Sequence, residues 1–177
     1  MNVSRIRKLI NMKFFAVVFL FGLTVSRVNA QMQTPTEVSV KVSGEVLTPL
    51  TLSAADLAAM PRTTASAKDK QGVTHEFAGV AIKDILNKAG VTTGRQLKGE
   101  NLAKYLLVSC ADNYQVVFSL AELDSSFTDR VVVLADQMEG KPLPAGMGPF
   151  RLIVPGEKKP ARNCMQVVGI AVKFAKD

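Results

Sequence analysis

A series of short strand-like segments constrains the fold of this chain more than any other feature. Val38 to Val42 alternates apolar and polar residues, whereas Tyr105 to Cys110 has the composition of a buried strand. Six similar runs cover residues 63–68, 73–77, 115–118, 131–135, 152–154 and about 167–174. Most of these runs follow one another through turns instead of helical crossovers. The pattern therefore predicts a single α+β domain of mostly antiparallel or mixed β-sheet with short helices.

The predicted helices are few and short. Ser53 with Asp56, and Ser119 with Glu122, form capping boxes that would each begin a short helix, the first ending near Met60. A further helix would end at Gly90, with one apolar face formed by Val80, Ile82, Ile85 and Leu86.

The beginning of the chain has the pattern of a secretory signal peptide. An apolar run from Phe14 to Val25 follows several basic residues, and Val28-Asn29-Ala30 suits a cleavage site. The run is too short to span a bilayer. The sequence predicts a signal peptide over residues 1–30, a flexible leader over 31–36 and one domain over 37–177. Because Arg5-Ile6-Arg7-Lys8 contains no adjacent arginine pair, we expect general secretory export to the periplasm or the medium, with no membrane span after cleavage.

The formal net charge of +7 comes mostly from the predicted signal peptide. Five of the 22 basic residues lie there with no acidic residue, so the remainder of the chain is close to neutral. No basic run is interleaved with aromatic residues, and Lys158-Lys159 is only a pair. The sequence therefore argues against a nucleic-acid partner.

Cysteine and histidine are scarce in this sequence. Cys110 and Cys164 are the only cysteines, and His75 is the only histidine. In an oxidising compartment the two cysteines could form a disulfide, remain two buried thiols, or supply one ligand thiolate. No C-x-x-C pair is present, so a metal site built from Cys and His is not predicted. No nucleophile has a base nearby in sequence, so no catalytic residue is assigned.

The segment from Gly146 to Lys159 combines turn residues, a strand and one arginine. It overlaps the end of the longest irregular stretch, residues 136–149. Gly146 and Gly148 let the backbone approach a bound group closely. Leu152-Ile153-Val154 suits a core strand, which places Arg151 at its mouth. The guanidinium of Arg151 could recognise phosphate or carboxylate there. Alternatively, the aliphatic part of the side chain could pack against the core while the guanidinium stays in solvent.

Four blocks of the sequence carry a family resemblance through their order and spacing. They are Phe77-Ala78-Gly79-Val80-Ala81-Ile82-Lys83-Asp84-Ile85-Leu86 through Ala89-Gly90, then Ala111-Asp112-Asn113-Tyr114, then Leu134-Ala135 with Glu139-Gly140-Lys141-Pro142-Leu143, and Gly148-Pro149-Phe150-Arg151-Leu152-Ile153-Val154-Pro155. Together they resemble the oxidoreductase molybdopterin-binding domain, the fold of sulfite oxidase and of periplasmic methionine-sulfoxide reductases. The resemblance extends over about residues 37 to 174 and implies that fold for the whole predicted domain.

The resemblance also implies a cofactor, molybdopterin, and residues that would bind it. In catalytic members a pterin dithiolene and one protein cysteine thiolate hold molybdenum, while basic and histidine side chains hold the pterin phosphate. The cofactor-binding residues implied for this chain are Arg151, Lys158, Lys159, Arg162 and Gly148. The implied class is a molybdopterin-dependent oxidoreductase with a periplasmic redox or protein partner.

The sequence departs from the catalytic pattern at two positions. The metal-binding cysteine of catalytic members lies upstream of the block that matches Phe77, and residues 63–76 contain no cysteine here. The histidine that precedes the Pro-x-Arg block is also absent, with Gly146 near its place. Two hypotheses follow. One is an exported domain that binds a pterin-type or other small anionic ligand near Arg151, and the other is a cofactor-free binding or interaction module on the same scaffold.

Overall fold

The computed structural model describes residues 38–175. The predicted signal peptide and leader lie outside this part of the chain. The strands are β1 Ser39–Gly44, β2 Leu50–Ser53, β3 Arg62–Lys68, β4 Thr74–Ala81, β5 Lys104–Cys110, β6 Gln115–Ser119, β7 Val133–Met138, β8 Lys141–Pro142, β9 Arg151–Ile153 and β10 Val167–Phe174. The helices are α1 Ala54–Ala58 and α2 Ile82–Lys88, with short 3-10 helices at Gly94–Gln96, Gly99–Ala103, Leu120–Leu123 and Pro160–Arg162. Neither α-helix of the described residues has the length to cross a membrane.

The first sheet has five strands in the order β2-β1-β10-β5-β6. β1 and β10 are parallel, and the remaining pairs are antiparallel. The central strand β10 buries Val167, Ile170 and Val172 almost completely, as expected for β-branched residues in the middle of a sheet. Strand β10, the last strand in chain order, thus pairs with β1, the first strand of the domain.

The second sheet also has five strands and is antiparallel throughout. β3, β4, β7 and β8 follow one another, and β9 pairs with β7. The β4–β7 register shifts between Ala78 and Gly79, and the two backbones come very close at that point. A Cβ atom added to Gly79 would lie 2.1 Å from the carbonyl oxygen of Leu134, so this approach requires glycine.

The buried side chains form two groups, and the larger one joins the two sheets. The larger one takes residues from both sheets and from α2, including Val40, Ile85, Leu106 and Leu152. The smaller one lies on the other face of the second sheet, with Phe77, Val133 and Ile153 and partly buried Met138 and Leu143 against it. Side chains alternate between the faces of a strand, so neighbouring residues of β9 belong to different groups.

The fold class predicted from the sequence is confirmed: the domain is β-rich, with few and short helices. Both capping boxes are present, although Ser119 begins a 3-10 helix. Val80 was assigned wrongly to a helical face, because it belongs to β4 and pairs with β7. The stretch 136–149 is less irregular than predicted, because β7 reaches Met138 and a tight turn leads into β8.

Candidate functional site

Arg151 lies on the outer face of the second sheet, away from the larger core. Its neighbour Leu152 is fully buried in that core, whereas Arg151 and Ile153 point to the opposite face. Phe77 shares this face, and the guanidinium carbon of Arg151 lies 5.0 Å from the centroid of the Phe77 ring. The strand order of the sheet therefore places one cation over an aromatic surface.

The donors of Arg151 are only partly satisfied. Nη1 donates to the Met147 sulfur at 3.3 Å, a weak acceptor, and the buried Nε has no hydrogen-bond partner in the structure. Within residues 38–175, Arg62, Arg130 and Arg162 each pair with a carboxylate, and Arg151 does not. Burial lowers the pKa of Arg151. The guanidinium therefore keeps donor capacity that no carboxylate of the described residues uses.

A cavity of about 350 Å³ lies over Arg151. Its apolar wall contains Phe77, Pro160 and three methionines, Met138, Met147 and Met165. Thioether side chains are flexible and polarisable, so they can adjust to ligands of different shape. The cavity thus combines Arg151 and the lysines Lys68 and Lys70 with an adaptable apolar wall.

A larger cleft of about 710 Å³ adjoins this cavity and shares part of its lining. Three lysines, Lys68, Lys70 and Lys158, line the cleft. Its two carboxylates have other partners, since Asp69 accepts hydrogen bonds from its own turn and Glu157 pairs with Arg162. The cleft therefore presents more positive than negative charge to a ligand.

The β3–β4 turn that forms one wall is fixed by Asp69. Its Oδ1 accepts from the backbone N–H groups of Gln71 at 2.9 Å and Val73 at 2.8 Å, and its Oδ2 lies 3.2 Å from His75 Nε2. Burial raises the pKa of Asp69, but the hydrogen bonds from His75, Val73 and Gln71 outweigh it and hold that pKa below its usual value. The second ring nitrogen of His75 lies 3.5 Å from Glu139. His75 therefore has structural partners on both sides.

The opposite wall is fixed by Asn163, which lines both cavities. Asn163 is 7% exposed, and its Oδ1 accepts a 2.6 Å hydrogen bond from the backbone N–H of Val154. This bond ties the loop after β9 back to the end of that strand.

The five residues predicted to bind a cofactor occupy different surroundings. Arg151 lines the smaller cavity and Lys158 the adjoining cleft, whereas Lys159, Arg162 and Gly148 line neither. Arg162 donates to Glu157 and Glu122 and lies 4.4 Å above the Phe118 ring. The half-buried Gly148 precedes a cis peptide bond to Pro149. Their binding roles stay predictions, and geometry favours Arg151 and Lys158.

The three methionines and Asn163 were missed by sequence reasoning. Met138, Met147 and Met165 come from β7, the loop before β9 and the segment before β10, so no local spacing links them. The alternation in β9 was the one available signal, because it places Arg151 opposite the apolar Leu152.

The side chains that line the two cavities suit the phosphate of a molybdenum cofactor but include no cysteine to bind its metal. The Nε of Arg151 and the three lysines suit an anionic group such as the phosphate of a pterin. Neither cavity is lined by a cysteine, and both Cys110 and Cys164 are buried in the larger core. Among residues 38–175, no group of three or more His, Cys, Asp and Glu side chains is arranged to hold a metal. The two cavities present basic side chains, but neither is lined by a protein thiol that could bind molybdenum.

These observations define a β-rich domain with a cavity lined by basic and apolar side chains over its second sheet. A family model described as the oxidoreductase molybdopterin binding domain matches residues 27–161, and the chain belongs to this family. Among solved structures, the fold is similar to that of the sulfane dehydrogenase SoxCD from Paracoccus pantotrophus, with a TM-score of 0.61 and 24% sequence identity. The match covers 78% of this chain and 39% of that one. No curated protein matches the chain.

Proposed function

We propose that this chain is an exported member of the family that binds a pterin-type or other small anionic ligand in the cavity over Arg151. One observation carries the proposal: the Nε of Arg151 is buried and has no partner, although three other arginines of the described residues are paired with carboxylates. A buried donor without a partner is costly, and an anion in the cavity would remove that cost.

The cavity also favours a certain kind of ligand. Its volume of about 350 Å³ falls in the range of small-molecule sites, and its wall is mostly apolar. We expect a compact body that packs against the methionines and Phe77 and carries an anionic group toward Arg151. A second anionic group could extend to Lys158 in the adjoining cleft.

Binding of a fluorescent pterin carboxylate, measured by fluorescence anisotropy, tests the ligand proposal. Arg151→Gln removes the cation, and Arg95→Gln removes an exposed arginine that lines neither cavity. A charged hydrogen bond is worth about 1.5–3 kcal/mol, so Arg151→Gln should weaken binding by about 10- to 150-fold. The Arg95→Gln variant should bind like the unmodified chain. Equal affinities for all three proteins would contradict the proposal.

A separate experiment tests export and cleavage of the predicted signal peptide. The full chain, expressed in a bacterium with a periplasm, should appear in the periplasmic fraction with Gln31 as its first residue. A cytoplasmic protein that begins at Met1 would show that the N-terminal pattern does not act as a signal peptide.

A cofactor-free binding or interaction module is the second candidate, and the lack of a cysteine in both cavities favours it. Elemental analysis and pterin fluorescence of protein isolated from its native compartment distinguish the two. A bound pterin supports the ligand proposal, whereas the absence of pterin together with no binding of pterin carboxylate supports the module. Stoichiometric molybdenum with reductase activity would contradict the module and would require a metal ligand from outside the two cavities.

A further inference from the structure

Two buried cysteines, Cys110 and Cys164, lie in the larger core group next to the candidate site. Cys110 ends β5 and Cys164 follows the 3-10 helix Pro160–Arg162, and they are 4% and 5% exposed. Both thiols are free, both belong to the larger core group, and each influences the pKa of the other. They come from positions far apart in sequence, so the fold itself brings them together.

The backbone on both sides of the pair holds it in place. The N–H of Ala111 donates to the carbonyl of Gln166 at 2.9 Å, and Cys110 is paired with Val167 in the first sheet. The carbonyl of Cys164 accepts from the N–H of Leu152 at 2.8 Å. These contacts hold the backbone of the two cysteines in adjoining segments, and a disulfide would then require their sulfur atoms to reach the S–S distance of about 2 Å.

The residues next to Cys164 connect this pair to the site. Asn163 and Met165 both line the smaller cavity, while the side chain of Cys164 points into the core between them. The preceding loop supplies Gly156, Lys158 and Pro160 to the cleft. A covalent bond at Cys164 would thus anchor the wall of the site to the end of β5.

We propose that Cys110 and Cys164 form a disulfide that fixes the loop at residues 155–163. The oxidant is a low-molecular-weight or protein disulfide. A thiolate of the pair attacks that disulfide and releases one thiol, and the second cysteine sulfur then attacks the mixed disulfide and releases the other. Two S–H bonds of the protein are lost, one S–S bond forms, and the oxidant is reduced to two thiols.

Burial makes this a slow exchange in the folded protein. It raises the pKa of both thiols, more for Cys164 than for Cys110, and so disfavours the thiolates that react. We expect the bond to form readily during folding, when the sulfur atoms are accessible, and to resist reduction once the core has closed around it. This inference does not depend on the identity of the ligand.

Refolding in a glutathione redox buffer followed by peptide mapping tests the proposal. The protein refolded under oxidising conditions should be monomeric, should have lost two hydrogens in mass, and should yield a linked peptide pair containing residues 110 and 164. Two unmodified thiols, mixed disulfides with glutathione only, or disulfide-linked dimers would overturn it. The mapping uses the unsubstituted chain, so its outcome does not depend on whether a cysteine variant folds.

Limited trypsin digestion tests the effect on the loop. Cleavage after Lys158 should slow by about tenfold in the oxidised protein, which corresponds to about 1.4 kcal/mol of added local stability. Cleavage after Lys98, in the segment before β5, is the internal control and should not change. In Cys110→Ala protein the redox buffer should not affect cleavage after Lys158. Equal rates for the oxidised and reduced unsubstituted protein would overturn the proposed effect on the loop.

Discussion

Replacing Gly79 by alanine should disrupt the sheet that carries the site. The added Cβ would lie 2.1 Å from the Leu134 carbonyl oxygen and 2.5 Å from the Cα of Ala135, whereas Cβ atoms essentially never come within 3.0 Å of such atoms. β4 and β7 would have to separate by about 1 Å locally. Two neighbouring ladder hydrogen bonds at about 1 kcal/mol each, plus about 1–3 kcal/mol of overpacking strain, give a loss of about 3–5 kcal/mol.

Gly169→Ala is the matched control for this prediction. Gly169 also lies in a strand, and its nearest neighbour to an added Cβ is the Cβ of Ser109 at 3.8 Å, an ordinary contact. Its free energy of unfolding should stay within about 1 kcal/mol of the unmodified value. Urea unfolding followed by circular dichroism measures both variants. Equal midpoints for the two variants would refute the reasoning about the close approach.

Other substitutions test the wall of the site and the surrounding ion pairs. Asn163→Ala leaves the buried N–H of Val154 without its acceptor. The substitution should therefore lower the free energy of unfolding by about 1–3 kcal/mol in the same urea assay. An unchanged value would contradict the structural role of this hydrogen bond. Burial raises the pKa of Glu122, but hydrogen bonds from Ser119 and Arg162 outweigh burial and hold that pKa below its usual value. The carboxylate therefore stabilises the folded protein above about pH 4.3, and this contribution is lost as the pH falls through the folded pKa. Glu122→Gln should therefore lose less thermal stability than the unmodified chain between about pH 6 and pH 3, and parallel melting curves across that range would show that the carboxylate contributes nothing.

The sequence predicted correctly those strands and helix starts that interactions between nearby residues determine. The last strand was placed at residues 167–174, as observed, and the serine capping boxes were identified because both partners lie within one turn. Val80 was assigned wrongly because its spacing to Ile82 and Ile85 also suits a helix. Pairing with β7 keeps it in β4, and such a long-range contact leaves no local signal.

The candidate site could be predicted only in part for the same reason. Arg151 was identifiable because a charged residue beside a buried strand is conspicuous. The role of Arg162 was not, since its partners Glu122 and Glu157 lie on different segments and only the fold brings them together. The placement of Cys110 and Cys164 in one core group likewise depends on the packing of β5 against the segment before β10.

The side-chain Nε–H signal of Arg151 in a proton–nitrogen NMR spectrum tests the central claim most directly. This atom is the buried donor that we assign to the anionic ligand. Titration with pterin carboxylate, and separately with inorganic phosphate, should shift the Arg151 signal in a saturable way with at least one of them and leave the exposed Arg95 signal unchanged. If Arg151 does not respond to either anion, or responds only as Arg95 does, the proposed anion-binding site is contradicted.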